Sequence, residues 1–282
     1  LYINLLEQAP YSDTARLAET DPDTIIEYGL AHEFLIRVPH SLGDVVTTDP
    51  KTALQMAYVR NNSLHLFVLP GLICSLFLNA RSIRLPMLQS MIALLYPFFL
   101  NEYLLHWRQD DDLPDAVERI VSVLESNGLI SRENDCLHGA AIHSYASDLL
   151  AHLGQTVMPS LERYYLTIRL LVQYGSGRLT TDQLGELAHH TAQRLSLLYE
   201  FNSPEFFDKV VLRNFIGQLV EAGLVDLDAE QQLTFGDTLR TLDDEARRIL
   251  SPDISQAIQR ITRVPELDTA LASPPTDNDP AK

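Results

Sequence analysis

An amphipathic helix that ends at a glycine occurs twice in the chain, about 95 residues apart. Its apolar positions keep the i, i+3, i+4, i+7 spacing of a single helix face. In the first copy they are Val117, Ile120, Val121 and Leu124, before Gly128. In the second they are Leu212, Phe215, Ile216 and Leu219, before Gly223. Because each position keeps its character, we interpret the two stretches as copies of one structural unit.

Each glycine is followed by two short runs of strand character. After Gly128 and Gly223 the pairs are Leu129–Ser131 with Cys136–His138, and Leu224–Asp226 with Gln232–Phe235. A third pair, Phe34–Val38 with Val45–Thr48, follows a helix that the Asp21-Pro22 cap opens. Helix, hairpin and helix in this order form a winged-helix module. We therefore predict a mainly α-helical fold with two or three winged-helix-like units at about 95-residue spacing.

Local signals place further helix starts and the domain limits. Thr180 with Gln183 forms a capping box, and Ser203-Pro204 is expected to begin the second repeated helix. In each copy another helix precedes the repeated amphipathic helix. The polar segments Ser82–Leu85 and Leu179–Asp182 are expected to begin these preceding helices. The predicted domains are 1–60, 61–157 and 158–262, with a tail at 263–282 whose composition is typical of disorder.

Charge and cysteine content limit the partners and the compartment. The net charge is −17 and Lys and Arg form no cluster, so nucleic acid and anionic lipid are repelled. The two cysteines, Cys74 and Cys136, form no disulfide framework and favour a reducing compartment. The chain begins at Leu1 without a Met or a signal peptide, so we expect a piece of a longer protein.

Two apolar stretches, Leu64–Ala80 and Leu85–Leu100, are the strongest candidates for contact with a membrane or a partner domain. Each is shorter than the roughly 20 residues that a spanning helix needs. Polar residues and prolines, such as His65 and Pro97, interrupt them. We expect buried or interfacial helices rather than membrane spans.

Motifs of catalysis are scarce. The chain has no H-E-x-x-H, no G-x-S-x-G and no phosphate loop, so no metal and no cofactor is expected. His106 with Asp111 and His143 with Asp148 match the H-x-x-x-x-D spacing of glycerolipid acyltransferases. In or beside a helix, however, a step of five residues turns the two side chains about 140° apart. No catalytic residue is therefore assigned.

Five segments, in this order and spacing, carry a family resemblance. They are Tyr58–Pro70, Leu95-Tyr96-Pro97, Trp107 with Asp112–Asp115, Ala192–Ser196 and Asn202–Lys209. Together they resemble the C-terminal region of the bacterial membrane-associated glycerol-3-phosphate 1-O-acyltransferase, from about Leu1 to Arg260. That family's catalytic H-x-x-x-x-D lies in a domain before this region.

The resemblance implies acyl transfer by the parent protein from acyl-CoA or acyl-carrier protein to the sn-1 hydroxyl of glycerol 3-phosphate. It implies a peripheral position on the cytoplasmic face of the inner membrane, with the N-terminal acyltransferase domain as partner of this non-catalytic region. Arg60, Asn61, Asn62 and His65 are candidate contacts to that domain or to a substrate phosphate, or else a polar helix turn that bridges neighbouring helices. The alternative is an independent acidic winged-helix scaffold that binds proteins.

Overall fold

The computed structural model describes residues 2–9, 11, 21–103, 105, 112–199 and 204–262. The chain divides into two compact units, unit 1 up to Pro159 and unit 2 from Ser160. Both are mainly helical with small antiparallel sheets, which confirms the predicted fold class at that level. The finer domain limits at 60/61 and 157/158 remain a prediction. The tail at 263–282 lies outside the described residues.

Unit 1 combines seven helices of the described residues with two small sheets. The helices are α1 (Tyr2–Gln8), α2 (Pro22–Ala31), α3 (Pro50–Leu64), α4 (Val68–Ser75), α5 (Leu85–Tyr103), α6 (Leu113–Ser126) and α7 (Tyr145–Gln155). The strands are β1 (Ile36–Val38), β2 (Val45–Thr47), β3 (Ser82–Arg84), β4 (Ile130–Glu133) and β5 (Cys136–Gly139). Strands β1 and β2 form one sheet, and the other has the order β3-β5-β4.

Helix α4 is the centre of unit 1, because all eight of its residues are buried. It crosses α7 closely at Gly154, where an added Cβ would lie 3.1 Å from the Cα and N of Ser75. A close crossing of this kind needs a residue without a side chain. Most of the Leu64–Ala80 stretch therefore belongs to the core, which agrees with the expectation of a buried helix. The residues of α4 are covered within unit 1, and contact of the rest of the stretch with a partner remains a prediction.

The repeated helix of unit 1 behaves as its pattern predicts. All four apolar positions of α6 in the repeat are buried, and Asn127 and Gly128 end the helix, Gly128 with a φ of 69°. The predicted hairpin follows as β4 and β5, with Ser131 opposite His138. The expectation for Ser82–Leu85 is incomplete, because Ser82–Arg84 forms a third strand that pairs with β5 before α5 begins.

Unit 2 repeats this order of elements. It holds most of α8 (Met158–Tyr174), followed by α9 (Thr181–Tyr199), α10 (Lys209–Glu221), β6 (Asp226–Leu227), β7 (Leu233–Thr234), α11 (Asp237–Ile249) and α12 (Pro252–Thr262). The predicted hairpin after Gly223 is present as β6 and β7, and Thr180 adds an antiparallel bridge to Gln232. The bridge at Thr180 thus takes the place that β3 holds in unit 1.

Two local signals in unit 2 have different outcomes. The capping box is confirmed, since the Thr180 amide donates to Gln183 Oε1 at 2.9 Å and the Gln183 amide donates to Thr180 Oγ1 at 3.3 Å. The helix start at Ser203-Pro204 is wrong. Pro204–Phe207 forms a 3-10 turn, and α10 begins after Asp208, whose carboxylate accepts from the amides of Val210 and Val211. A carboxylate at the N-cap satisfies two amides that a helix start leaves open.

Candidate functional site

The four predicted contact residues lie at the end of α3. Arg60 and Asn62 are exposed, and Asn61 belongs to the same helix but has no described side chain. His65 caps the helix end through its backbone amide, which donates to the Ser63 carbonyl. Its half-buried ring meets the ring of Tyr11 edge-on at 5.0 Å. The described side chains are therefore placed at the surface of unit 1, next to the first residues of the chain.

The side chains of Arg60 and His65 do not lie on the same side of α3. A step of five residues separates Arg60 from His65, which places them about 140° apart around a helix axis. Arg60 instead shares an exposed face of α3 with Met56 and Val59. Met56 is at position i, Val59 at i+3 and Arg60 at i+4. A cation beside two apolar side chains can contribute to a contact with another protein surface.

The H-x-x-x-x-D match that the structure describes has no catalytic geometry. His143 lies before the Ser144 cap of α7, in a loop with a φ of 62°, and Asp148 lies in the first turn of that helix. Both are exposed, and no hydrogen bond or ion pair joins the two. A general base needs a carboxylate within hydrogen-bond reach to orient it. The other match, His106 with Asp111, lies outside the described residues.

Two buried acids of unit 2 have shifted pKa values. Burial raises the pKa of Glu162 on α8 to about 8, because the charged form loses its hydration. Burial also raises the pKa of Asp243 on α11, although the guanidinium of Arg169, 2.8 Å away, opposes that shift. The Arg169–Asp243 pair joins α8 to α11. A pair of this kind holds helices in register, and its charges remain paired within the core.

The cations at the start of α10 are bound to acids of α9. Lys209 Nζ lies 2.7 Å from Glu186, and Arg213 lies 3.1 Å from Asp182. The Lys209 hydrogen bond and charge lower the pKa of Glu186. In a nucleic-acid-binding helix such cations would face phosphates. Here carboxylates of α9 pair with them.

The most unusual surface of unit 1 was not found by sequence reasoning. Residues 21–48 are all described, and Gly29 alone among them is buried. The segment comprises α2 and the β1–β2 hairpin, and its exposed apolar side chains are Ile25, Tyr28, Phe34, Ile36, Val38, Leu42, Val45 and Val46. The strand character of Phe34–Val38 and Val45–Thr48 predicted the two strands but could not show that their residues are exposed. Soluble proteins rarely leave so many neighbouring apolar side chains in water.

Neither a metal-binding cluster nor a membrane-spanning helix is present among the described residues. Across the described ranges, no three His, Cys, Asp or Glu side chains come together in a way that could hold a metal ion. Within the same ranges, no helix is both long enough and apolar enough to span a bilayer. The site that remains is the exposed surface formed by α2, β1, β2 and α3.

Comparison with known proteins agrees with the resemblance. The family model for the glycerol-3-phosphate acyltransferase C-terminal region matches residues 1–228. A glycerol-3-phosphate acyltransferase of Pseudomonas entomophila is 35% identical over 262 residues, which are 93% of this chain and 32% of that protein. One from Pseudomonas putida KT2440 is 34% identical over the same length. The chain spans about a third of the length of these curated relatives. It belongs to the family of glycerol-3-phosphate acyltransferase C-terminal regions.

Proposed function

We propose that the chain is the non-catalytic, structural or regulatory part of a glycerol-3-phosphate acyltransferase. The parent enzyme would transfer an acyl group from acyl-CoA or acyl-carrier protein to the sn-1 hydroxyl of glycerol 3-phosphate, the entry to phospholipid synthesis. The observation that carries the proposal is the match of the family model to residues 1–228 of this chain. The curated relatives are about three times as long as the chain. The exposed, unpaired geometry of His143 and Asp148 supports a role other than catalysis.

The proposal includes the setting of the parent protein. The partner would be its N-terminal acyltransferase domain, which would bind both substrates. The whole would work peripherally at the cytoplasmic face of the inner membrane, where an acylated product enters the bilayer. The net charge of −17 favours a protein surface over anionic lipid as the direct neighbour of this chain.

We also assign the repeated bodies of units 1 and 2 to the winged-helix class. In unit 1 the order is helix, strand, two helices and hairpin, as α4, β3, α5, α6, β4 and β5. Unit 2 has the same order, with the Thr180 bridge in the place of β3. The α2, β1, β2 and α3 segment would be a third, reduced copy without a buried core.

Deletion and addition test the proposed function. The full-length protein, the remainder without this chain, and the remainder mixed with this chain would be assayed for lysophosphatidic acid formation. We expect turnover by the full-length protein, a loss of at least tenfold in the remainder, and partial recovery on mixing. Full activity of the remainder would contradict a supporting role. Circular dichroism of the remainder separates a lost contact from a lost fold.

Arg60→Ala in the full-length protein tests the candidate contact. Because Arg60 shares its face with Met56 and Val59, we expect turnover to fall several-fold, through a weaker contact with the acyltransferase domain. The matched control is Arg240→Ala, a half-exposed arginine of α11 whose partner Asp237 is one turn away on the same helix. A lower melting temperature with unchanged turnover per folded molecule would instead assign Arg60 to the stability of unit 1.

A further inference from the structure

The β1–β2 hairpin has two faces with different neighbours. Its register places Ile36 opposite Thr47 and Val38 opposite Val45, and directly opposed residues share a face. Arg37 and Val46 lie on the other face, where Arg37 binds Glu27 of α2 at 2.9 Å. That face is therefore turned toward α2. We call the remaining one, Ile36, Val38, Val45 and Thr47, the outer hairpin face.

The outer hairpin face is mainly apolar and is exposed in the part of the chain that the structure describes. Ile36, Val38 and Val45 keep 45%, 46% and 50% of their surface exposed. Every residue of both strands is exposed, and the contact that fixes α2 to the hairpin is small, Gly29 against the Leu35 side chain. A lone two-stranded hairpin is marginally stable in water. Burial of these apolar side chains would therefore stabilise it.

The charge of residues 21–48 and the length of the relatives indicate which kind of surface would cover this face. Residues 21–48 contain five acidic residues and a single arginine, so anionic headgroups are repelled. The matching relatives extend over about three times the length of this chain. The family model matches residues 1–228 of this chain, and that range includes the hairpin. The acids at the rim, such as Glu33 and Asp44, would face basic side chains of the covering surface.

We propose that the outer hairpin face is the docking surface for the acyltransferase domain of the same polypeptide. This inference rests on the proposed function, and it adds the residues that form the contact. The covering surface would be apolar at its centre and basic at its rim. Val38 would be its buried anchor, because it lies opposite Val45 and the two valines form the apolar pair of this face.

Cross-linking in the full-length protein tests the contact. A photoreactive phenylalanine analogue would replace Val38, and cross-linked peptides would be identified by mass spectrometry. We expect cross-links to peptides of the acyltransferase domain. The matched control is the same analogue at Leu197, an apolar residue of unit 2 that is 84% exposed, and there we expect at least fivefold fewer of these cross-links. Cross-links at Val38 to lipid alone, to a second copy alone, or to nothing would overturn the proposal.

Hydrogen exchange gives an independent reading without substitutions. Peptides covering residues 34–48 would be compared between this chain alone and the full-length protein. We expect exchange at least tenfold slower in the full-length protein, and unchanged exchange in the β4–β5 hairpin, which serves as the internal control. Equal rates in residues 34–48 would overturn the docking surface while leaving the proposed function in place. Catalysis by this chain alone would overturn the proposed function, whatever the exchange rates.

Discussion

Single residues decide how closely the helices of unit 1 approach one another. At Gly154 the backbone of α7 lies against Ser75 of α4, and the three nearest neighbours of a new Cβ would all be backbone atoms of α4 at 3.1–3.2 Å. Backbone inside a buried helix cannot move aside as a flexible side chain can. The stability of this core therefore depends on a missing side chain, since all eight α4 residues are buried.

We expect Gly154→Ala to lower the free energy of unfolding. Overpacking costs about 1–3 kcal/mol, more than the gain of about 1 kcal/mol from replacing glycine with alanine in a helix. Urea unfolding followed by circular dichroism measures the change. Gly217→Ala is the matched control, because nothing lies within 4 Å of its added Cβ in α10. It should raise stability by about 0.5–1 kcal/mol, and a similar gain at Gly154 would contradict the close crossing.

Glu162 should make the stability of the chain depend on pH near neutrality. Burial raises its folded pKa to about 8, above the ordinary value of 4.5, so the folded state binds more protons between these values. Stability then falls as the pH rises through that window, by at most about 1.4 kcal/mol per pH unit. Glu162→Gln should flatten the dependence of the urea midpoint on pH between 5 and 8.

A matched variant gives the contrast for Glu162. Glu186 is half-exposed on α9, and Lys209 lowers its pKa below the ordinary value. It is charged in both the folded and unfolded states above pH 5, so Glu186→Gln should leave the slope between pH 5 and 8 as it is. A Glu162→Gln slope equal to that of the unsubstituted chain would show that Glu162 is hydrated when folded.

At the scale of elements, caps set where the helices of unit 2 begin. The side chain of Gln183 accepts from Thr180, and that of Thr180 accepts from Gln183, so two open amides of α9 are satisfied together. Thr180 also bridges to Gln232, which ties the start of α9 to the β6–β7 hairpin. The cap therefore stabilises both a helix and its junction with the hairpin.

Thr180→Ala should destabilise unit 2 by about 1 kcal/mol, the usual cost of losing a side-chain cap. Gln183→Ala should cost a similar amount, and the double variant less than the sum, because the two side chains act as one box. Thermal unfolding measures all three. Thr241→Ala on α11 serves as the control, since its hydroxyl bonds only to the carbonyl one turn earlier. An additive double variant would contradict a shared cap.

The sequence predicted elements where the signal was local. The apolar spacing of α6 and α10, the capping box at Thr180 and all three hairpins are present, because neighbouring residues determine them. It failed where partners are distant. Strand β3 pairs with β5 more than fifty residues later, and nothing in Ser82–Arg84 alone encodes that pairing. Likewise the apolar residues of α4 and of β1 look alike in sequence, yet α4 is buried and β1 is exposed.

The candidate site shows the same division. The family resemblance indicates a group of candidate contact residues, Arg60, Asn61, Asn62 and His65. The turn of α3 nevertheless separates Arg60 from His65 around the helix axis. The outer hairpin face was missed, because strand alternation gives no information on whether a covering layer exists. Exposure could be found only once the three-dimensional neighbours of β1 and β2 were known.

At the scale of the whole molecule, the chain combines two compact helical units with an uncovered acidic and apolar segment at 21–48. It belongs to the C-terminal region of glycerol-3-phosphate acyltransferases and spans about a third of the matching relatives. The proposed supporting role needs a folded body and a surface for contact, and the outer hairpin face is the proposed surface. Under this proposal the residues that catalyse acyl transfer would lie in the rest of the polypeptide.

Turnover by the purified chain tests the central claim most directly. Radiolabelled glycerol 3-phosphate and palmitoyl-CoA would be incubated with this chain at micromolar concentration, beside an equal amount of the full-length protein. We predict lysophosphatidic acid from the full-length protein and none above background from the chain. Turnover by the chain that persists after further purification and is lost in the His143→Ala variant would contradict the claim. It would also assign the catalytic base to the loop before α7.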